Sequence, residues 1–324
     1  MVKFSAVLIG CGDIGYLFDR DKKRKGALTH FKAFRDSGKF NLIAVSEIRE
    51  EIREEIQSKY GIPAFGDYKK MLKEIKPDII AIASDDETHY PMLCESLKCK
   101  PKLVFIEKPL ALKYEEVKNV IKNFKKEKIL LQVNYTRRFL KEFDEAGTFI
   151  KSGKIGKPES AVLYYSRGLT HNASHYIDLM NSYIGETEKN LIKISEKKGI
   201  GDADSTVSFD LIYKNGFEMR FIGLNPTKLA FAEIDIAGTS GRVRINCNNE
   251  IEYYKVRENR LFKGYYSYEL FKSVVIDFTK ALPNAVENIY SALCGKENLK
   301  SSGENSLKIF ELIKRIREKE LCRN

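Results

Sequence analysis

The chain has 324 residues and a mass of 37.2 kDa, more than one small domain accommodates, so two domains of ordinary size are expected. Its 43% hydrophobic and 11% aromatic content suffices for a buried core and excludes a disordered protein. The formal charge is +11, but bases alternate with acids along most segments and no nucleic-acid-binding motif accompanies them, so no nucleic-acid partner is expected.

No apolar run reaches the roughly 18 residues a bilayer span needs, so no membrane partner is expected. The start, Met1-Val2-Lys3-Phe4, leads directly into a strand pattern without a signal-peptide cleavage site. Cys11, Cys94, Cys99, Cys247, Cys294 and Cys322 are scattered without a metal-ligand spacing, and a disulfide framework does not suit a domain of this size. A cytoplasmic protein with free thiols and no metal is the expectation.

The first 135 residues repeat one rhythm. Apolar, β-branched runs occur at Val7-Leu8-Ile9, Leu42-Ile43-Ala44-Val45, Ile79-Ile80-Ala81-Ile82, Leu103-Val104-Phe105-Ile106 and Ile129-Leu130-Leu131. Stretches with helical spacing, such as residues 48–60 and 114–126, lie between them. Strands apolar on both faces and interleaved with helices predict an α/β fold with a doubly wound parallel sheet, a Rossmann domain.

The second half reads as successive strands over residues 160–166, 191–195, 206–213, 217–223, 231–237 and 242–246. Turns such as Lys214-Asn215-Gly216 separate several of them, which predicts a mostly antiparallel sheet. Helical patterns return over 270–282, 285–293 and 303–318. Residues 1–135 are therefore assigned to a dinucleotide-binding domain and 136–324 to a substrate-binding and oligomerisation domain, whose last helices are free to pack back on the first. The Gly/Pro/Lys loop 152–158 is read as the junction.

Gly10-Cys11-Gly12-Asp13-Ile14-Gly15 fits G-x-G-x-x-G directly after the first strand. Gly10 permits the tight turn, Gly12 lets a pyrophosphate approach, and Gly15 lets helix and strand pack. With Asp13 and Ile14 at the helix start the turn is read as a phosphate cradle; the bland alternative is a glycine-rich turn without ligand. Glu47, at the end of the second strand, suits the adenosine ribose hydroxyls and favours NAD. Arg49 softens that preference if it reaches a 2′-phosphate, which keeps NADP as the alternative, and Glu47 can also serve as a helix cap. Residues 19–26, Asp19-Arg20-Asp21-Lys22-Lys23-Arg24-Lys25-Gly26, interrupt the helix expected after Gly15. They read either as a solvated insertion or as a basic loop folding over an anionic ligand.

Glu107-Lys108-Pro109 follows the run ending at Ile106. A residue before proline is held extended, and ligands bind at the carboxyl ends of strands in such sheets, which places Lys108 near a bound nicotinamide. His171 and His175 stand four apart in a helical pattern and are expected on one face. A metal on that pair lacks a third ligand.

Together the glycine turn, Glu107-Lys108-Pro109, the stretch Ser84-Asp85-Asp86-Glu87-Thr88-His89, Asn134-Tyr135-Thr136-Arg137-Arg138-Phe139 and His175-Tyr176-Ile177-Asp178 resemble the glucose–fructose oxidoreductase/inositol dehydrogenase/rhizopine-catabolism (Gfo/Idh/MocA) family over nearly the whole chain. The resemblance implies an NAD- or NADP-dependent oxidoreductase acting on a sugar-like alcohol, assembled as a homodimer or homotetramer through its second sheet. It implies that Lys108 holds the reacting oxygen and that His175 is the general base, with Asp178 orienting it. Ser84, Asp86, His89 and Glu107 join Lys108 on the cofactor side. Asn134, Arg138, Arg167, His171 and Asn172 are candidates for the substrate rim. The chain departs from the family where His171 replaces an aspartate and where Asp85-Asp86 follows Ser84 without proline. Reduction of an imine or biliverdin-like compound is a second enzymatic reading, and a non-catalytic dinucleotide sensor is the alternative of another class.

Overall fold

Short apolar strands that must hide both faces need helices on either side, and the computed structural model of the chain supplies them. It describes residues 3–21, 23–198, 204–225 and 230–321; Lys22 and Cys322 lie outside the described residues. Two units emerge: Met1–Phe139 with Asp277–Phe310, and Leu140–Ile276 with Glu311–Asn324.

The first unit begins with β1 (Phe4–Ile9), α1 (His30–Asp36), β2 (Phe40–Ser46) and α2 (Glu50–Tyr60). It continues through β3 (Ala64–Phe65), α3 (Tyr68–Ile75), β4 (Ile79–Ile82), α4 (His89–Cys99), β5 (Leu103–Ile106), α5 (Tyr114–Lys126) and β6 (Leu130–Val133). Six parallel strands lie in the order β3-β2-β1-β4-β5-β6, so the strand order reverses direction between β1 and β4. Every residue of β4 and β5 is buried, as strands covered on both faces require. The two-residue β3 escapes sequence reading because it carries no repeat of its own.

The helix expected after Gly15 starts and is then spliced. The amides of Tyr16 and Leu17 donate to the Gly12 carbonyl, yet the amides of His30 and Phe31 donate to the carbonyls of Ile14 and Gly15, each at 3.0 Å. An α-helical bond joins residues four apart and these join residues sixteen apart, so twelve residues are looped out of one helix. The Asp19 carboxylate closes the loop's base by accepting from the Leu28 amide and, at 2.6 Å, from the Thr29 hydroxyl. Arg20 pairs with Glu55 of α2, and Arg24 lies 4.5 Å over the Phe18 ring. Two of the loop's basic groups are thus tied to the protein, while Lys23 and Lys25 face solvent.

The second unit opens with α6 (Lys141–Lys151), then β7 (Pro158–Tyr165), α7 (Ser174–Tyr183), β8 (Thr187–Lys198), β9 (Thr206–Tyr213) and β10 (Glu218–Gly223). Next come β11 (Ala232–Gly238), β12 (Gly241–Ile245), β13 (Glu250–Glu258) and β14 (Tyr266–Val275). Its sheet runs β14-β13-β12-β11-β7-β10-β9-β8, antiparallel throughout except for the β7–β10 pair. The chain then returns to the first unit with α8 (Ala281–Leu293), and α9 (Gly303–Leu321) spans the remainder. Leu282, Ala285, Val286 and Ile289 of α8 join the core built on Ala6, Phe34 and Phe105.

Two expectations are corrected. Residues 270–282 do not form one helix: Tyr266–Val275 is a strand and α8 starts at Ala281. The spacing of Leu270, Phe271, Val274 and Val275 mimics a helical face, but β13, which the sequence reading missed, offers this segment a complete antiparallel ladder. The crossing between units falls at Phe139/Leu140 and not in 152–158, because α6 buries Phe143, Ala146 and Ile150 in the second unit and Phe143 accepts a 2.6 Å hydrogen bond from the Tyr183 hydroxyl there.

Candidate functional site

In the first unit the predicted residues follow directly on strand ends, because each ladder runs one residue further. The amide of Gly10 donates to the Ser46 carbonyl, Ala83 to Ile9, Glu107 to Ile82 and Asn134 to Ile106. Gly10 (β1), Glu47 (β2), Ser84 (β4), Glu107 and Lys108 (β5) and Asn134 (β6) therefore share the carboxyl edge of the sheet, with the β1/β4 switch point in the middle. Ligands of open α/β sheets bind at such a crevice.

The glycine turn has the shape the motif demands. Gly10 has φ +89°, and a Cβ there would stand 2.5 Å from the Ala83 carbonyl oxygen. A Cβ on Gly12, by contrast, would meet nothing nearer than an Arg49 nitrogen at 3.9 Å. That opening beside a helix start fits a pyrophosphate, with Asp13 exposed and Ile14 partly so at its edge.

Glu47 is buried and fully engaged. Its Oε2 accepts from the Cys11 amide at 2.8 Å and from Arg49 Nη2 at 3.1 Å; Oε1 accepts from the Arg49 amide at 3.1 Å and from Arg49 Nε at 2.8 Å. Burial alone would raise the Glu47 pKa, but the bonds from Arg49 and Cys11 outweigh it and hold the carboxyl below its ordinary value. A carboxylate has about four acceptor sites. Ribose hydroxyls therefore reach Glu47 by displacing part of Arg49, so the expected competition between Glu47 and Arg49 takes a concrete form.

Around Lys108, two histidines with no exposed surface act on its neighbours. His30 Nε2 lies 2.7 Å from Glu107 Oε1, which also accepts from Asn134 Nδ2 at 2.6 Å. Burial raises the Glu107 pKa, but the bonds from His30 and Asn134 and the nearby Lys108 charge bring it below the ordinary value. His89 Nδ1 lies 2.6 Å from the Pro109 carbonyl and Nε2 lies 3.1 Å from the Ser84 carbonyl. His89, expected on the cofactor side, is thus enclosed with both ring nitrogens on backbone carbonyls. Asn134, expected on the substrate rim, is also buried and braces Glu107. Ser84 accepts from the Thr88 hydroxyl at 2.8 Å, and Asp86 opens the short 3₁₀ turn that leads into α4. Arg138 spends its guanidinium on the Lys300 carbonyl, at 3.0 and 3.1 Å.

The second unit places the other candidates after β7. Arg167 is exposed with φ +60°, an uncommon value for a side chain of its size, and Gly168 follows at +82°. Leu169–Ala173 then forms a π turn, closed by the Ala173 amide on the Gly168 carbonyl, before α7 begins at Ser174. His171 lies in this i→i+5 turn and His175 in the first turn of α7. His171 is 53% exposed, His175 is half-buried and Asp178 is buried. Asn172, expected to bind substrate, donates through Nδ2 to the carbonyls of Ser166 (2.9 Å) and Phe231 (3.2 Å), tying β7 to the start of β11.

His30, Asp204 and Arg317 were missed. His30 carries a signal, a histidine at the start of the first helix, but the looped-out insertion disguises its place. Asp204 meets His171 across 33 residues of sequence, and no local pattern announces that.

A six-stranded parallel sheet of this order, with a glycine turn at its switch point and a carboxylate at the end of β2, defines a dinucleotide-binding Rossmann unit. Residues 4–135 match the family described as "Oxidoreductase family, NAD-binding Rossmann fold". That match takes in the first unit's sheet and its glycine turn, and it is this stretch of the chain that is similar to the Gfo/Idh/MocA family. The chain is 32% identical over 118 residues to the myo-inositol 2-dehydrogenase of Thermotoga maritima, a match covering 36% of this chain and 35% of that protein. It is 23% identical over 326 residues to the inositol 2-dehydrogenase of Rhizobium meliloti, covering 94% and 93%. The chain spans only 35% to 48% of the length of the first curated relatives it matches. Among solved structures, the WlbA dehydrogenase from Bordetella pertussis in complex with NADH and UDP-GlcNAcA shares its fold, with TM-score 0.74, 18% identity and coverage of 98% and 96%. Among the described residues no helix is long and apolar enough to cross a membrane.

Proposed function

We propose that this protein is an NAD-dependent oxidoreductase acting on a secondary alcohol or ketone of a sugar, polyol or nucleotide-linked sugar. The observation that carries the reading is Lys108 on the carboxyl edge of the sheet, its neighbours Glu107 and Pro109 each fastened by a buried histidine. Bound NAD would supply the hydride acceptor. The glycine turn would hold its pyrophosphate and Glu47 its ribose, while Ser84 and Asp86 would border the nicotinamide side. Lys108 would hold the reacting oxygen by its ammonium and stabilise developing alkoxide charge. His175 would take the hydroxyl proton, an imidazole being suited to that task near neutral pH. The named activities of the inositol dehydrogenases and the nucleotide-sugar ligand of the WlbA structure support this substrate range. Exposed Arg167 suits an acidic or phosphorylated substrate. Assembly as a homodimer or homotetramer through the second sheet belongs to the same reading.

The test is absorbance at 340 nm with NAD and a panel of inositols, sugars and nucleotide sugars. Lys108→Met and His175→Asn should each abolish the signal while the protein still binds NADH. Turnover undiminished by both changes would refute the assignment.

A further inference from the structure

We propose that His171, oriented by Asp204, is a catalytic acid–base residue of this protein. The inference rests on the oxidoreductase reading above and adds a residue pair to it. Where family resemblance leads one to expect an aspartate, this chain has an imidazole, and the segment just before β9 brings the Asp204 carboxylate to it.

The arrangement is built around that carboxylate. Asp204 Oδ2 accepts from the His171 amide at 2.8 Å and lies 3.2 Å from His171 Nδ1. The Thr170 amide donates to both oxygens, at 2.9 and 3.0 Å. Arg317 of α9 donates from Nη2 to Oδ1 at 3.1 Å and to the Thr170 hydroxyl at 2.8 Å. A Cβ on residue 168 would overlap the Asp204 carboxylate, so Gly168 makes room for it. Burial would raise the Asp204 pKa, but bonds from His171 and Thr170 and the Arg317 charge bring it down to about 2. The carboxylate is therefore anionic throughout the working pH range and available to His171 Nδ1–H.

An imidazole with one nitrogen on a partly buried carboxylate and half its surface in solvent meets the requirement for a general base: a fixed tautomer, a stabilised imidazolium and access to the proton. Arg317 works against the imidazolium, but it bonds the oxygen farther from the ring, whereas Asp204 Oδ2 faces the ring directly. Two further features mark the segment. It contains a π turn, a form that concentrates at functional sites, and Arg167 holds a left-handed backbone that persists only where the surroundings enforce it. In the oxidation direction the substrate O–H bond would break as His175 takes its proton, which would pass on through solvent to His171 Nε2 while Nδ1–H stays on Asp204. Bound NAD would accept the carbinol hydrogen with its electron pair, leaving a ketone and an imidazolium that returns its proton to water.

The experiment compares wild type, His171→Asn, Asp204→Asn and His175→Asn by the pH profile of kcat/KM and by NMR titration of the imidazoles. The chain has four histidines, and two have no exposed surface, so the solvent-exchanging signals are assigned by the His171 and His175 variants. His171→Asn should lower kcat by about 100-fold or more, in the range of a general acid–base group. Asp204→Asn should lower the acid-limb pKa and the His171 titration together by about one unit or more. A rate within threefold for His171→Asn with an unmoved acid limb overturns the proposal, even if His175→Asn is dead and the oxidoreductase reading stands. If no substrate turns over, the NMR decides alone: a His171 titration unaffected by Asp204→Asn refutes the pair, and a raised one that falls in the variant upholds it while the substrate reading fails.

Discussion

Glu47→Gln tests how the ribose site chooses its dinucleotide. In the structure the carboxylate spends one bond on the Cys11 amide and three on Arg49, so ribose hydroxyls and Arg49 compete for the same lone pairs. Glutamine keeps the shape and one acceptor oxygen for the Cys11 amide, but loses the charge and turns an NH2 toward the ribose and Arg49. A hydrogen bond to a charged group contributes about 1.5–3 kcal/mol, so NADH binding should weaken by roughly 10- to 150-fold. NADPH should gain relative to NADH, because the charge repelling a 2′-phosphate is gone and Arg49 is released toward it. The converse change, Arg49→Met, should tighten NADH by only about 0.2–1 kcal/mol, since the arginine is partly exposed and its pair is worth little net. Titrating both variants with NADH and NADPH by calorimetry measures these effects. Equal losses for the two dinucleotides in Glu47→Gln would refute the reasoning, as would no loss for either.

Gly10→Ala should destabilise the first unit by about 2–5 kcal/mol, combining left-handed strain with overpacking against the rigid Ala83 backbone; urea melts should show it, with NADH binding lost even in protein that remains folded. His30→Leu leaves the largely enclosed Glu107 carboxylate with only Asn134 and the nearby Lys108 charge and should cost about 3 kcal/mol, seen as a lowered thermal midpoint; an unchanged midpoint would show that the pair contributes little. Asp204 has a folded pKa of about 2 against 3.8, so its contribution, about 2 kcal/mol, is present above pH 4 and is lost as the pH falls toward 2. The stability gap between wild type and Asp204→Asn, measured by urea unfolding, should therefore close over that window.

Much of the fold is written in local pattern. β4 and β5 are four-residue apolar runs buried end to end, and the glycine turn announces itself because only residues without a side chain fit beside Ala83 and the Gly10 carbonyl. Glu47 and Lys108 could be placed because ladder geometry puts whatever follows a parallel strand at the carboxyl edge of the sheet. Residues 270–282 show the opposite case. Their spacing suits a helix or a strand, and pairing with β13 decides between them.

Tertiary structure alone settled who braces whom. His30 reaches Glu107 because twelve residues bulge out of a helix whose hydrogen bonds close across the gap. Asn134, His89 and Asn172, polar residues that read as ligand contacts, hydrogen-bond a carboxylate or backbone carbonyls, as polar groups turned away from water require. Asp204 comes to His171 from the segment just before β9. Periodicity and glycine placement act over a few residues and survive in the sequence; hydrogen bonds between distant segments exist only once the chain has folded.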